Sequence, residues 1–287
     1  MSTTEHSTIP TWVSAQLTWV GRQLLLVPEA VLLLALLCLH SALGAPPLLA
    51  LLGLLLTLFF LARASLLALG RRALADAAYE RADTLARYAI MLYPGSADAH
   101  ALAGTVYLAH GEAGAGAEAF RRAVACFPLQ AELHSALSAA LLDSGRPAEA
   151  RDEARRALLI DSRSAAAYLY LASAEEQLGA APEAVEALLR AGLQLPAPPA
   201  DTATLRCTLA AQLLSMGRSA EAQLALVGVE RLLERCPAPQ RAGLHFYLGE
   251  LLRLGGDSEG ARGHFRASES LDPHGRHAAA AWRAARL

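Results

Sequence analysis

The sequence predicts an all-α protein in which an N-terminal transmembrane helical hairpin is followed by an α-solenoid of paired helices. Two apolar runs, at residues 24–43 and 48–69, are each about as long as a helix that crosses a ~30 Å hydrocarbon core. From residue 97 onward, a pattern of small, aromatic and helix-ending residues recurs every 34 residues. The composition agrees, because 54% hydrophobic residues with only 6% aromatic ones are unusual for a chain wholly in water.

The first 22 residues are predicted to form an interfacial segment. Trp12 and Trp19 are seven positions apart and share one helix face, and tryptophan rings favour the headgroup level of a bilayer. An extension of the first membrane helix explains the same pattern equally well. The segment has neither a basic region nor a small-residue cleavage site, so we do not expect a cleaved signal peptide.

Residues 23–70 are predicted to form the two-helix transmembrane hairpin, with its turn at Gly44 to Pro47. Glu29 and Arg63 are about equally distant from this turn, so they lie at one depth and are expected to form an intramembrane ion pair. The turn carries no Lys or Arg, whereas Arg22 precedes the hairpin and arginines follow it. The positive-inside rule therefore predicts that both chain termini are cytoplasmic.

Residues 71–287 are predicted to form the solenoid, ending in a short capping helix. No linker rich in Gly, Ser or Pro separates it from the hairpin, so the tail of the second span is expected to be the first helix of a degenerate repeat. The first clear copy has its small, aromatic and helix-ending residues at Gly104, Tyr107, Gly116, Phe120, Ala123 and Pro128. Gly145 and Gly179 follow Gly111 at 34-residue steps.

The later copies follow less regularly. The same frame predicts Ala184, Leu188 and Ala191 as packing positions of the third copy. After Pro196 the connection lengthens, and the last copy is marked by residues that include Gly249, Gly256 and Phe265.

This pattern resembles the tetratricopeptide-repeat family, from residue 97 to the C-terminal side. The resemblance implies a curved solenoid whose concave face, lined by the first helix of each pair, binds extended peptides or partner helices. In that frame the partner-binding groove is expected to be lined by Asp98, Thr105, Leu108, Glu132, Ser135, Leu142, Asp143, Leu169, Ser173, Glu176, Gln177, Leu214, Phe246, Glu250 and Leu254. The groove lacks the Lys and Asn set with which some members clamp a terminal carboxylate.

The layout of a hairpin followed by a cytosolic array also resembles the PelE family, the inner-membrane repeat subunit of Pel exopolysaccharide secretion. This resemblance implies a scaffold in a bacterial cytoplasmic (inner) membrane that joins the cyclic-di-GMP sensor PelD to the glycosyltransferase PelF and its membrane partner PelG. An accessory subunit or assembly factor of another bacterial membrane complex, respiratory, photosynthetic or for cytochrome c maturation, is the alternative. Protein partners and the lipid bilayer are expected in each case.

No residue pattern predicts catalysis. His100, His134 and His245 occupy equivalent repeat positions, where we expect them to pack between helices, and His274 and His277 are expected to be solvated in a turn. The four cysteines are far apart, so neither a metal site nor a disulfide is predicted. A net charge of −2 offers no attraction for nucleic acid. We therefore expect no enzyme, no cofactor and no small-molecule substrate.

Overall fold

The computed structural model describes residues 35–36, 38–42 and 47–286 and places residues 1–65 and 66–287 in two compact units. Every regular element among the described residues is helical, which confirms the all-α solenoid. The helices are α1 (Pro47–Ala75), α2 (Tyr79–Leu92), α3 (Ala97–His110), α4 (Ala113–Cys126), α5 (Ala131–Asp143), α6 (Pro147–Ile160), α7 (Ala165–Gln177), α8 (Pro182–Leu193), α9 (Pro199–Ser215), α10 (Ser219–Leu226), α11 (Val229–Leu233), α12 (Ala238–Leu254), α13 (Ser258–Leu271) and α14 (Ala278–Ala284).

The second predicted membrane span is a helix, α1. Among the described helices it alone is long and apolar enough to cross a bilayer. Of the first predicted span, only residues 35–36 and 38–42 are described, and they are helical. The interfacial segment and Glu29 lie outside the described residues, so the hairpin and the pairing of Glu29 with Arg63 stay predictions. Arg63 itself is buried.

The end of α1 packs as the first helix of a repeat, which confirms the degenerate repeat predicted at this point. Leu67 shares an apolar cluster with alanines of α2 and with Leu102 of α3. Ala73 shares another with Tyr79 and Val106. The contacts join residues beyond Ser65, so they lie within the second unit.

Two second helices, α2 and α6, pack through stripes of alanine. Ala82, Ala86 and Ala89 of α2 are completely buried, and so are Ala150, Ala154 and Ala157 of α6. In each set the spacing is four and then three residues, which places the side chains on one helix face. Because alanine adds only a methyl group, such a stripe lets neighbouring helices approach closely.

Five first helices end in the same glycine turn. Gly111, Gly145, Gly179, Gly217 and Gly256 all have positive φ. In each turn the residue after the glycine donates its backbone N–H to a carbonyl five residues earlier, for example Glu112 to Tyr107 and Arg146 to Leu141, both at 2.8 Å. This is the Schellman arrangement, in which the left-handed position favours glycine. The recurrence of the turn explains why glycine marks the period in the sequence.

The predicted frame of the third copy is wrong by one residue within α8. Ala184 is exposed, and Leu188 and Ala191 are only half-buried. The buried positions are instead Val185, Leu189 and Gly192. The reason is one extra residue in the turn, because two residues separate Gly179 from Pro182 whereas one separates Gly145 from Pro147.

The fourth repeat has a divided second helix. Gly228, with φ +80°, separates α10 from α11, and Arg206 of α9 donates to the Val227 carbonyl beside the break. Val229 and Leu233 of α11 nevertheless join the large apolar cluster formed with α7, α8, α9 and α12. The slipped sequence frame after Pro196 therefore corresponds to a longer first helix, α9, and the break at Gly228 further lengthens the same repeat; no repeat is missing.

Candidate partner-binding groove

The concave side of residues 66–287 holds a cavity of about 770 Å³, which we call the groove. Its wall comes from α1, α2 and the first helices α3, α5, α7, α9 and α12, together with the end of α13 and the turn that follows it. The second helices α4, α6, α8 and α10 contribute none of the lining residues. First helices therefore form the concave wall, as expected from the tetratricopeptide pattern.

The groove brings together nine of the residues named from the sequence. These are Thr105, Leu108, Leu142, Asp143, Leu169, Ser173, Gln177, Glu250 and Leu254. Thr105 and Ser173 are two repeat periods apart, and Ala139, midway between them, also lines the cavity. The 34-residue period therefore places equivalent side chains on the same wall.

Six other named residues lie outside the cavity lining. Ser135 is buried among helices and Leu214 packs against the large apolar cluster. Asp98 forms an exposed ion pair with Arg71 at 3.0 Å. Phe246 packs beside Phe265, with ring centroids 5.7 Å apart. Glu132 and Glu176 are exposed.

Several lining residues have no counterpart in the sequence prediction. Tyr170 and Tyr247 adjoin positions that were named, and the repeat frame could have found them. Asp201 lies in the stretch predicted to be a lengthened connection, but α9 begins at Pro199 and includes it. Arg276 and His277 come from the turn after α13, and no feature of the repeat pattern places that turn in the groove.

The prediction that His277 is solvated is wrong. Its ring stacks on Phe246, with centroids 4.6 Å apart and an interplanar angle of 18°. Burial, followed by the neighbouring charge of Arg276, lowers the pKa of His277 to about 4. His277 is therefore neutral near pH 7, whereas His274 is exposed.

An ion pair crosses one end of the groove. The Arg276 guanidinium donates to the carboxylate of Asp143 at the end of α5. Burial disfavours the charge on Arg276, but Asp143, Tyr247 and Tyr170 outweigh this effect and raise the pKa of the guanidinium. The positive charge of Arg276 is thus held by the groove wall.

Other polar groups of the wall are poorly solvated. Burial raises the pKa of the Asp201 carboxyl. Burial also raises the pKa of the Tyr170 hydroxyl, with a further contribution from Asp201. For Cys207, burial and then Glu230 raise the thiol pKa to about 12. A carboxylate in such surroundings gains when a cation replaces its lost water.

The histidines at equivalent repeat positions pack between helices, as predicted. His100 and His134 each place Nε2 2.9 Å from the carbonyl of the proline six residues earlier. His134 Nδ1 also lies 2.6 Å from Glu153, and His245 Nδ1 lies 2.9 Å from His264 Nδ1. Both pairs join positions 19 residues apart. His134 and His245 thus link the two helices of a repeat, whereas His100 contacts the turn that precedes its own helix.

Within the part of the chain that the structure describes, no group of three His, Cys, Asp or Glu side chains could hold a metal ion. The cysteines are free, with Cys38 and Cys126 exposed and Cys207 and Cys236 buried. The groove presents an apolar surface, phenols and charged groups to a ligand.

Comparison with known proteins agrees with this geometry. The tetratricopeptide-repeat family model matches residues 136–201 and 207–276. A tetratricopeptide-repeat protein from Parabacteroides merdae is similar over 96% of each chain, with 16% identity and a TM-score of 0.58. A thermophilic one from Thermus thermophilus is 25% identical, covers 65% of this chain and 98% of its own, and has a TM-score of 0.54.

PilW, described as a widely conserved type IV pilus biogenesis factor, is 18% identical over 77% of this chain and 98% of its own, with a TM-score of 0.53. At this identity the similarity shows the fold alone. No curated protein has significant sequence similarity to this chain. The matched repeats, the glycine turns and the solved structures lead to one conclusion: the chain is a tetratricopeptide-repeat protein.

Proposed function

We propose that this protein is a membrane-anchored scaffold that recruits a protein partner through the groove. The observation that carries the proposal is the concave wall itself, which leaves large apolar side chains exposed. Leu254 is 66% exposed and Tyr247 is 39% exposed, and both line the cavity. Apolar and aromatic side chains within a concave surface are what a bound segment covers to gain affinity.

The anchor is proposed from α1. Eight of its leucines are more than 40% exposed: Leu48, Leu51, Leu52, Leu54, Leu55, Leu58, Leu61 and Leu69. A helix that is apolar all round and not covered by protein is suited to lipid. Because α1 packs in the repeat unit from Leu66 onward, residues 47–65 are left for the bilayer, and they rise about 28 Å, close to the thickness of a bilayer core. The arginines that flank the two apolar runs favour a cytoplasmic side for the array, in a bacterial inner membrane.

A finer form of the proposal names the partner as a cytosolic glycosyltransferase of an exopolysaccharide synthesis and secretion complex. Its support is the order of the chain, with apolar spans first and a repeat array after them, which resembles the PelE family and implies PelD, PelF and PelG as partners. A subunit of a respiratory, photosynthetic or cytochrome c maturation complex is the alternative partner.

The recruitment test is affinity capture of the tagged full chain from detergent-solubilised membranes, followed by mass spectrometry. We expect Leu254→Ser to release the partner. The matched control is Leu159→Ser, which changes an 86% exposed leucine on the outer helix α6. A partner retained by Leu254→Ser, or released by Leu159→Ser alone, contradicts recruitment through the groove. The class of protein recovered decides between the glycosyltransferase and the alternative.

The topology test uses a thiol reagent that does not cross the membrane. Cys126 is exposed, so it reports the side on which the array lies, whereas Cys207 is buried and would be unreactive from either side. With Cys38→Ser as the background, we expect Cys126 to be labelled only after the cells are permeabilised. A cysteine placed at Ala45 should be labelled in intact cells. The reverse pattern would place the array outside.

A further inference from the structure

The turn between α13 and α14, residues 272–277, closes the array on itself, and we call this turn the latch. The backbone N–H of Arg276 donates to the carbonyl of Ala109 in α3 at 2.9 Å. The Arg276 side chain donates to Asp143, and the Tyr79 hydroxyl donates to Asp272. The two side-chain contacts join residues 133 and 193 positions apart. Because repeats of a solenoid normally contact only their neighbours, this contact is additional to the stacking.

The closure is made by polar contacts and has no shared apolar core. The apolar cluster around Phe265 contains only residues of α12, α13 and α14 and Ala285, which follows α14 directly. The clusters of α3 and α5 contain none of these residues. The ion pair of Arg276 with Asp143 is about one-third exposed on both sides, so water can replace it. Opening the latch therefore breaks polar contacts, among them the buried hydrogen bond from Tyr79 to Asp272, but separates no apolar cluster.

The latch occupies a binding position for a guanidinium group. Arg276 is held by the Asp143 carboxylate, and the aromatic rings of Tyr247 and Phe246 surround the adjoining His277. Planar guanidinium groups pair well with carboxylates, so the support for this position is the Asp143 contact. Without the latch, Asp143 would face the cavity with no cation upon it.

The remaining charges of the wall favour a positive ligand. Asp143, Asp201, Asp272 and Glu250 line the cavity, and Glu250 is already paired with Arg253 at 2.7 Å. Apart from Arg276, the only lining arginine among the described residues is Arg71, which pairs with Asp98. An acidic segment would meet these carboxylates, whereas a basic one would neutralise them.

We propose that the latch is an internal ligand of the groove and exchanges with an arginine-bearing segment of a partner protein, whose guanidinium replaces Arg276 on Asp143. This rests on the proposed function, since it concerns the same groove, and adds the chemistry of the partner and a closed resting state. When most molecules are closed, the apparent affinity for the partner is the affinity of the open state multiplied by the fraction of molecules that are open. Recruitment is thus weak until a segment with the correct charge competes.

The exchange can be measured with a fluorescein-labelled peptide of residues 270–279 of this chain, which contains Arg276, added to the full chain in detergent. Fluorescence anisotropy gives its affinity. We expect Arg276→Ala to bind the peptide at least about tenfold more tightly than the wild type, as a latch closed in about 90% of molecules requires. Adding Asp143→Asn to Arg276→Ala should remove this gain in peptide affinity. A peptide with glutamine in place of its arginine should also bind Arg276→Ala without the gain. The matched control is Arg283→Ala, an exposed arginine whose side chain bonds to the Ala279 carbonyl.

Tyr79→Phe provides a second way to open the latch without changing Asp143, and it should also strengthen peptide binding. The proposal is overturned if the wild type and Arg276→Ala bind the peptide with equal affinity, or if Arg276→Ala shows no binding at about 1 mM peptide. It is also overturned if Asp143→Asn leaves the peptide affinity unchanged in a protein whose helical circular dichroism is unchanged. If Leu254→Ser releases the partner but Arg276→Ala does not change the peptide affinity, recruitment through the groove stands and the latch proposal is refuted. If Arg276→Ala strengthens peptide binding but Leu254→Ser does not release the partner, only the proposed recruitment through the groove is refuted.

Discussion

Gly249→Ala is the substitution for which the structure makes the sharpest prediction about stability. A Cβ at Gly249 would lie 2.6 Å from Cε1 and 2.8 Å from Cδ1 of Phe265. Ordinary contacts of a Cβ begin near 3.4 Å, so the ring would have to retreat by about 0.8 Å. Phe265 is 1% exposed and packs with Ala261 and Ala281, which leaves it little room to move. The same arrangement occurs at Gly104 and Phe120 in the first full repeat.

Two effects of opposite sign decide the size of the change. Overpacking a well-filled core costs about 1–3 kcal/mol. Replacing a helical glycine by alanine returns about 0.8–1.0 kcal/mol through helix propensity. We therefore expect Gly249→Ala to lower the free energy of unfolding by roughly 0–2 kcal/mol. Gly263→Ala, in α13 of the same repeat, meets no atom within 4 Å and should gain the propensity term alone.

The assay is urea unfolding of the full chain in detergent, followed by circular dichroism. Gly249→Ala should unfold at lower urea than Gly263→Ala, by a difference of about 1–3 kcal/mol. Phe265→Leu should remove part of this cost, so the double variant with Gly249→Ala should show positive coupling in a mutant cycle. A Gly249→Ala protein as stable as Gly263→Ala would refute the argument that close helix approach requires glycine here.

Three further outcomes are expected. The pKa of His134 is raised mainly by its hydrogen bond to Glu153. Its contribution to stability is therefore present below the unfolded pKa near 6.5 and is lost as pH rises through the folded pKa. The urea midpoint should fall across this range, and His134→Gln should abolish this pH dependence. His277 has the opposite sign, because its folded pKa of about 4 means that stability present above 6.5 is lost as pH falls; amide exchange in the latch should therefore rise on acidification, and exchange that shows no such rise after correction for the intrinsic rates would contradict this. Tyr79→Phe should lower the free energy of unfolding by about 1–3 kcal/mol, since the largely buried carboxylate of Asp272 loses its donor, and an unchanged thermal midpoint would show that the bond contributes nothing.

The sequence predicts the repeats because each residue requirement of a repeat arises within one helix pair. A Schellman turn requires a left-handed residue, so glycine appears at Gly111 and again one period later. A close helix pair requires a small residue opposite a ring, so Gly104 precedes Phe120 by 16 positions and Gly249 precedes Phe265 by the same number. These requirements act within a single helix pair, and the sequence alone shows them.

The repeat frame predicted from the sequence was wrong in α8, where a turn is longer by a single residue. One extra residue between Gly179 and Pro182 moved every buried position of α8 by one, and small or apolar residues fill both the predicted frame and the observed one, Val185, Leu189 and Gly192. An alanine-rich sequence cannot distinguish a shift of one position, because apolar residues occupy neighbouring positions on several faces. Packing against α9, where Gly192 lies under Leu205, decides which face is buried.

By itself the sequence thus determined the helical class, the period and the glycine turns, since each depends on residues within about one repeat of each other. Only the tertiary structure decided that Arg276 reaches Ala109 and Asp143 and that the groove carries its own latch. The physical reason is cumulative: a small rotation between successive repeats, altered by the longer turn after Gly179 and the break at Gly228, adds up over the array. Where the last repeat meets the first depends on that sum, which no single repeat of the sequence records.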